Sequence, residues 1–257
     1  MPVVMAVYLA YLAAPMALLL IGSFGGSWTN TLLPTGFTFR WYAEIWADPS
    51  FRRAFSVSLI VCASTCITAT LIGVPFAYAI YRAAQRQIRI AVRILYLLPI
   101  AAPAIVLGFG FILVFSSEEL PFLGATWLLV AGHLVLTLPY LVQTLLGDIR
   151  HLDLDRLEDA AESLGAGFTS RFFDVVLPSL RHSLTSGLVM VAAQSIGEFQ
   201  LSNLVSGFLS RPYPVVLLQA FYGASGFACA GTMLLLVLAI VAGVGSASAG
   251  GAARMTA

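Results

Sequence analysis

Six long stretches of apolar residues dominate this chain of 257 residues and decide in which solvent it can fold. Each is close to the roughly 20 apolar residues that an α-helix needs to cross the ~30 Å hydrocarbon core of a bilayer. Lipid offers no hydrogen bonds to a peptide group, so each stretch must satisfy its own backbone as a helix. The predicted spanning helices cover approximately residues 3–22, 55–81, 94–115, 125–146, 183–205 and 226–247.

The composition excludes a large water-exposed surface. Hydrophobic residues make up 60% of the chain and charged residues 10%, and the mean hydropathy is +0.93, whereas a soluble domain carries about 25% charged residues. The formal net charge of +1 leaves no basic face for nucleic acid, so no nucleic-acid partner is expected. We therefore predict one all-α integral membrane domain over residues 1–257, with lipid as its solvent.

The arginines predict the orientation of this domain, because basic residues favour the cytoplasmic side of short loops. Nine fall on one side of the predicted topology, namely Arg82, Arg86, Arg89, Arg93, Arg150, Arg156, Arg171, Arg181 and Arg254. Four fall on the other side, namely Arg40, Arg52, Arg53 and Arg211. With six spans, this distribution places both termini in the cytoplasm.

The longest polar segment, residues 147–182, is predicted to be structured. Leu154, Leu157, Ala161 and Leu164 form the apolar stripe of an amphipathic helix. Gly165 follows this helix as a residue able to adopt left-handed backbone angles. A second short helical stretch from Phe168 leads to Pro178 and the fifth span. Bulky apolar residues in this polar segment are expected to be shielded from water, either by the helix ends of this chain or by another protein.

The same segment carries a pattern with fixed spacing. It reads Asp159-Ala160-Ala161, three residues, Gly165, nine residues, Val175, one residue, and Leu177-Pro178. This resembles the EAA loop of the permease subunits of binding-protein-dependent ABC importers, where Glu-Ala-Ala, Gly, Ile and Leu-Pro recur at the same spacings. Asp159 stands where Glu is usual and Val175 where Ile is usual, and both departures are chemically mild.

The resemblance covers nearly the whole chain. It is carried further by Arg40-Trp41-Tyr42, Ser58-Leu59, His133, Pro139-Tyr140 and Gly197-Glu198-Phe199. These segments are similar to spermidine/putrescine-type permeases and to their ferric-ion and 2-aminoethylphosphonate relatives. The resemblance implies the type I ABC importer permease fold, with about six spanning helices, in a bacterial inner membrane.

In that family the EAA loop, here residues about 150–180, forms a cytoplasmic coupling helix that docks on a separate ATPase subunit. The resemblance assigns to this contact Leu157, Glu158, Asp159, Ala160, Ala161, Glu162, Leu164, Gly165, Phe168, Val175, Leu177 and Pro178. Apolar ridges would pack on the ATPase, and the acidic side chains would pair with arginines across the joint. Gly165 would permit the sharp bend.

The implied complex contains two ATP-binding subunits, an extracytoplasmic solute-binding protein, and either a second homologous permease or a second copy of this chain. The sequence has no GxxxxGK[ST] nucleotide-binding motif. ATP and Mg²⁺ would therefore be bound by the ATPase subunits. This chain is expected to be non-catalytic and to bind no cofactor or metal.

Polar residues inside the predicted spans are candidates for the solute pathway, because such groups are costly in lipid. They are Gln194, Glu198, Gln200 and Asn203 in the fifth span and His133 in the fourth. At an i,i+4 spacing, Gln194 and Glu198 are expected to share one helix face. They would form either a polar patch that passes a cationic solute or hydrogen bonds to the second permease. For His133 a hydrogen bond between helices is favoured over a proton relay.

Two other classes of protein fit less well. A proton-coupled secondary transporter would use Glu198 and His133, but the chain shows no clear internal repeat and its cytoplasmic loop would have no role. A membrane enzyme would need a catalytic constellation, and the sequence has no HExxH or GxSxG motif. Among solutes, the polyamines spermidine and putrescine are expected first, followed by 2-aminoethylphosphonate or ferric ion.

Overall fold

The computed structural model describes residues 2–28, 31, 33–223 and 225–252, with the backbone alone described at residues 2, 150 and 241–252. Its helices are α1 (Pro2–Ser23), α2 (Arg40–Ala47), α3 (Pro49–Arg82), α4 (Arg86–Ala101), α5 (Ala104–Phe115), α6 (Thr126–His151), α7 (Leu154–Ser163), α8 (Phe168–Ser170), α9 (Leu177–Ser179), α10 (Arg181–Gly197), α11 (Gln200–Val205), α12 (Tyr213–Phe221) and α13 (Ser225–Ala252). A π-helical segment, Arg171–Val176, joins α8 to α9. Strands β1 (Gly25–Ser27) and β2 (Thr35–Phe37) pair as a short antiparallel hairpin. The predicted all-α fold is confirmed, with this hairpin as an addition.

Three described helices, α1, α3 and α6, are long and apolar enough to cross a membrane, and up to five spans result if each bent helix pair counts as one. The first, second and fourth predicted spans correspond to these three helices, although α3 begins at Pro49 rather than near residue 55. The sixth lies within α13, whose apolar part with described side chains, Ser225–Ile240, is shorter than a full span.

The third and fifth predicted spans are not continuous helices. The third breaks between α4 and α5, whose axes differ by 99°. Ala102 has extended backbone angles there because it precedes Pro103, which disfavours the helical region for its neighbour. The fifth ends at Gly197, and the chain resumes as the separate helix α11. A further bend of 65° separates the segment Phe168–Ser179 from α10.

One compact unit comprises Met1–Ser58 and Arg211–Val241. Its core is aromatic: Phe51 packs edge-on against Tyr213 and Phe227, with ring centroids 5.5 and 5.0 Å away. The backbone N–H of Tyr213 donates to Ser58 Oγ at 2.8 Å, and its hydroxyl donates to the Gly231 carbonyl at 2.9 Å. Each polar end of this buried tyrosine therefore has a partner, as burial requires.

The second compact unit comprises Leu59–Ser210 and Ala242–Ala257, and it contains both candidate sites. Its core gathers fully buried side chains of α3, α6 and α10 with those of the polar segment, including Leu141, Leu145, Leu154 and Val191. Helices α6 and α10 approach closely at Gly187, because a Cβ there would lie 2.5 Å from Leu141 Cδ1. Small residues permit such approaches between spanning helices.

Replacing Gly187 by valine should destabilise this helix pair. Leu141 is fully buried and cannot move aside freely, so overpacking should lower the free energy of unfolding by about 1–3 kcal/mol. Thermal unfolding in detergent measures this loss. Gly147→Val on α6 is the matched control, since a Cβ there meets nothing within 4 Å. Equal melting temperatures for the two variants would contradict the close packing of α6 on α10.

Candidate functional site

Helix α7 has well-defined ends. It begins after Asp153, which has a left-handed backbone (φ 49°) and whose carboxylate lies 3.0 Å from the guanidinium of Arg156. At the other end, the N–H of Ala166 donates to the Ala161 carbonyl and that of Gly165 to the Glu162 carbonyl, at 3.0 and 2.9 Å. These two bonds form a Schellman motif, which requires left-handed angles at Gly165, and its φ is +87°. The predicted role of Gly165 as the helix stop is confirmed.

One face of α7 is buried in its own unit. Leu154 and Glu158, one helical turn apart, are 0% and 1% exposed. The hydroxyl of Tyr78 on α3 donates to Glu158 Oε2 at 2.7 Å. The expectation that Glu158 pairs with an arginine of another subunit is therefore wrong, because its position one turn after Leu154 directs the carboxylate into this chain.

Outside this buried pair, most of α7 and the turn after it are exposed to solvent. Leu157, Leu164 and Phe168 are 43%, 88% and 62% exposed. The other residues assigned to the contact divide into exposed Asp159, Ala160, Glu162 and Pro178, and half-buried Ala161, Val175 and Leu177. Glu162 pairs with Arg171 of the same chain. The predicted apolar stripe is thus split: Leu154 lies in the core, Ala161 is half-buried, and Leu157 and Leu164 are exposed.

Aromatic rings join this segment to the end of α3. The Tyr78 ring lies 5.4 Å from the Phe172 ring and 6.3 Å from the Phe168 ring, centroid to centroid. A cavity of about 540 Å³ beside them is lined by Pro75, Arg82 and Arg171 as well as the aromatic rings. The place of Tyr78 and Arg82 beside α7 could not be predicted from the sequence, because nothing in the periodicity of α3 marks the face that meets α7.

The second candidate site is a hydrogen-bonded network inside the helix bundle. His133 of α6 is 1% exposed, and its Nδ1 and Nε2 lie 2.8 and 2.9 Å from the hydroxyls of Ser195 and Ser202. It therefore links α6 to both α10 and α11, which confirms the expected bond between helices. Nothing in the sequence marked Ser202, since serine is common in membrane helices.

The donor and the acceptor of each hydrogen bond in this network can be assigned. The Ser202 hydroxyl donates to Glu198 Oε2 at 2.5 Å, because a carboxylate can only accept. Ser202 Oγ must therefore accept the Nε2–H of His133. In the neutral imidazole Nδ1 is then an acceptor for the Ser195 hydroxyl. Every hydrogen-bonding atom of the His133 ring is satisfied within the chain.

Glu198 is not on a helix face shared with Gln194. Helix α10 ends at Gly197, and Glu198 has extended backbone angles (φ −70°, ψ 122°). Its two carboxylate oxygens accept the backbone N–H groups of Leu201 and Ser202, each at 2.8 Å, at the start of α11. The predicted i,i+4 pairing is wrong because the helix break turns Glu198 into a cap for the next helix.

Both breaks in the predicted spans border one cavity of about 510 Å³. Its lining includes Pro99, Ile100, Ala102 and Ala104 from the first break, Gly197, Glu198, Phe199 and Gln200 from the second, and His133, Thr137, Tyr140 and Gln194 between them. Four of the five predicted pathway residues thus come together. Asn203 is exposed and does not line the cavity, whereas Thr137 and Tyr140 were missed.

Removing one hydroxyl from the network should be measurable. Ser195→Ala leaves Nδ1 of buried His133 without its partner, which should lower the free energy of unfolding by about 1–3 kcal/mol. Ser186→Ala on the same helix is the matched control, because Ser186 is exposed. Thermal unfolding in detergent compares the two variants, and an equal stability of both would contradict the assigned network.

Known proteins with similar sequences identify the family to which this architecture belongs. The family described as "Binding-protein-dependent transport system inner membrane component" matches residues 69–247. The spermidine/putrescine transport system permease protein PotC of Escherichia coli K12 is 28% identical over 238 residues, which are 90% of this chain and 86% of PotC. The putative 2-aminoethylphosphonate transport system permease protein PhnV of Salmonella typhimurium is 27% identical over 199 residues, 77% of this chain and 73% of PhnV.

The fold also matches solved structures. A bacterial alginate ABC transporter, crystallised with an alginate pentasaccharide-bound periplasmic protein, superposes with a TM-score of 0.75 at 15% identity, over 95% of this chain and 89% of that one. Nothing in these relatives favours a secondary transporter. The chain belongs to the family of binding-protein-dependent transport system inner membrane components, and it is a permease subunit of an ABC importer.

Proposed function

We propose that this chain lines the pathway of an importer for a small polar solute, with the polyamines spermidine and putrescine as the first candidates. The observation that carries the proposal is the likeness to PotC over 90% of the chain. The likeness to PhnV makes 2-aminoethylphosphonate the next candidate, and ferric ion remains the third. The solute-binding protein would select among them before the permease does.

The cavity at the two helix breaks supports a path for a polar solute. Irregular backbone at membrane depth is tolerated where it lines a polar cavity, and interrupted helices are a known device of solute sites. Glu198 gives this cavity one carboxylate, while Gln194, Gln200 and Tyr140 add neutral hydrogen-bonding groups. Because the Glu198 charge is already shared with two backbone N–H groups and a hydroxyl, it would hold an ammonium group weakly, as passage requires.

The partners follow from the exposed face of α7. We propose that an ATP-binding subunit covers Leu157, Leu164 and Phe168, and that a pair of such subunits binds ATP and Mg²⁺ for the whole complex. This chain would itself be non-catalytic and bind no cofactor or metal. A second permease, homologous or identical, and an extracytoplasmic solute-binding protein would complete the importer.

The proposed orientation has both termini on the cytoplasmic side of the inner membrane, so that α7 meets the ATP-binding subunit. The arginine bias supports it, with Arg82, Arg156 and Arg171 all near α7 or the cavity beside it. Of the other arginines used for the orientation, Arg254 lies outside the described residues.

The decisive experiment is purification of this chain from its native membrane with identification of the subunits that accompany it. The proposal expects a Walker-motif ATPase and a binding protein, which is then titrated calorimetrically with putrescine, spermidine, 2-aminoethylphosphonate and Fe³⁺. Tight binding of one of the polyamines supports the proposal. Binding of another solute alone would replace the proposed substrate, and uptake without ATP by the isolated chain would overturn the function.

Replacing Leu164 by glutamate should release the ATPase subunit. A charge at this 88% exposed position leaves the fold intact but buries an unpaired carboxylate in the contact. Recovery of the ATPase on purification should fall about tenfold, which corresponds to about 1.4 kcal/mol. Leu209→Glu is the control, because Leu209 is 68% exposed on the loop between α11 and α12. Unchanged recovery with Leu164→Glu would place the ATPase elsewhere.

Replacing Glu198 by glutamine should slow ATP-driven spermidine uptake into proteoliposomes by about tenfold, because the cationic solute loses its counter-charge. Ser202→Ala is the control, since it removes the hydroxyl that joins Glu198 to His133, and so disturbs the network without removing the charge. We expect that variant to retain uptake within about twofold of wild type. Equal losses in the two variants would mean that Glu198 acts only as a helix cap.

A further inference from the structure

The carboxylate of Glu158, on the short amphipathic helix α7, is buried. It is 1% exposed, and within the described part of the chain its Oε1 has no hydrogen-bond partner. The Tyr78 hydroxyl is the donor to Oε2, at 2.7 Å. A buried carboxyl group with so few hydrogen-bond partners is held at a cost in free energy, so this single bond matters more than a surface contact would.

Tyr78 connects α3 to both arms of the polar segment. Its hydroxyl meets Glu158 on α7, and its ring packs against Phe168 and Phe172, which follow the Gly165 turn. Apolar ring contacts have no fixed direction and allow sliding. A short bond to a charged acceptor fixes both distance and angle.

A second link joins the same two helices. Arg82 at the end of α3 lies 3.3 Å from the Asp155 carboxylate on α7. Both side chains are exposed, so water screens this pair and it constrains α7 little. The buried bond therefore dominates the register between the two helices.

We propose that Tyr78 and Glu158 form a clasp, a pair of positioning residues through which movement of α7 is transmitted to α3. The clasp rests on the proposed docking of an ATP-binding subunit on the outer face of α7. Leu157 directly precedes Glu158 on this short helix, and Leu164 follows the end of the helix, so a push on either side chain moves the element that carries Glu158. In this arrangement Glu158, and not the exposed Asp159 of the EAA pattern, transmits force within the chain.

The test uses the complex with its ATPase subunits in lipid nanodiscs. Hydrogen–deuterium exchange is measured on residues 75–82 and 154–163, without nucleotide and after trapping with ADP and vanadate. In wild type both segments should change their protection. In Tyr78→Phe, residues 154–163 should still respond, while the change at residues 75–82 should fall at least threefold.

Two variants at the other end separate transmission from simple stability. Glu158→Gln keeps an oxygen that accepts the Tyr78 hydroxyl, so it should retain at least half of the wild-type change at residues 75–82. Glu158→Ala removes the acceptor and should behave like Tyr78→Phe, and the double variant should be no worse than either. Asp155→Asn, which weakens the contacts of Asp155 with Arg82 and Tyr81 but leaves Glu158 and Tyr78 unchanged, is the control and should match wild type.

The possible outcomes separate a failure of the clasp from a failure of the proposed docking. A full wild-type response at residues 75–82 in Tyr78→Phe or Glu158→Ala overturns the clasp while leaving the docking intact. Equal loss in Glu158→Gln and Glu158→Ala also overturns it, since the bond would then not be the element that transmits. Failure of wild type to retain any ATPase subunit overturns the proposed function and the clasp together.

Discussion

Hydrocarbon cannot hydrogen-bond to a peptide group, and this constraint shapes every part of the permease. Wherever the chain leaves the helix inside a predicted span, another group must satisfy the backbone. At the second break Glu198 does so, by accepting the N–H groups that begin α11. The same carboxylate is tied through Ser202 to His133. The cap and the buried histidine thus belong to one hydrogen-bonded arrangement, which satisfies the backbone where the helix breaks.

That solution also creates a space. Two helices that stop short leave room that no side chain fills, and the ends of both line the cavity of about 510 Å³. Continuous helices through residues 94–115 and 183–205 would have been easier to satisfy in lipid but would have packed this volume shut. The polar lining is therefore a product of the way in which the backbone is interrupted.

The sequence predicted the parts of the fold that rest on local rules. Apolar length placed α1, α3 and α6, the spacing of leucines placed α7, and Gly165 marked its end. The breaks were harder, although Pro103 and Gly197 are both residues that interrupt helices. Pro75 and Pro139 sit within continuous helices of the same structure. A proline alone could not tell the two cases apart, because the outcome depends on which neighbouring groups satisfy the freed backbone.

The candidate sites were predicted only where residue type and position sufficed. His133, Gln194, Glu198 and Gln200 were found because polar residues stand out in apolar spans, and four of the five chosen do line one cavity. The partners Tyr78 and Ser202 were not found, since the role of such common residues depends on which side chain lies opposite them in the fold. Glu158 was predicted to be exposed, because charged side chains usually face water. In the structure it is buried, and its carboxylate accepts a hydrogen bond from a tyrosine 80 positions earlier in the chain.

The division of α7 into two faces has a consequence for how such importers diversify. Leu154 and Glu158 belong to the chain's own interior, whereas Ala160 and Leu164 contribute nothing to its core. Substitutions on the outer face are therefore free of the penalty that folding imposes on the inner one. With an ATP-binding subunit docked there as proposed, a cell with several related importers could evolve mutually exclusive ATPase pairings by changing this face alone, while every permease keeps the same internal contacts.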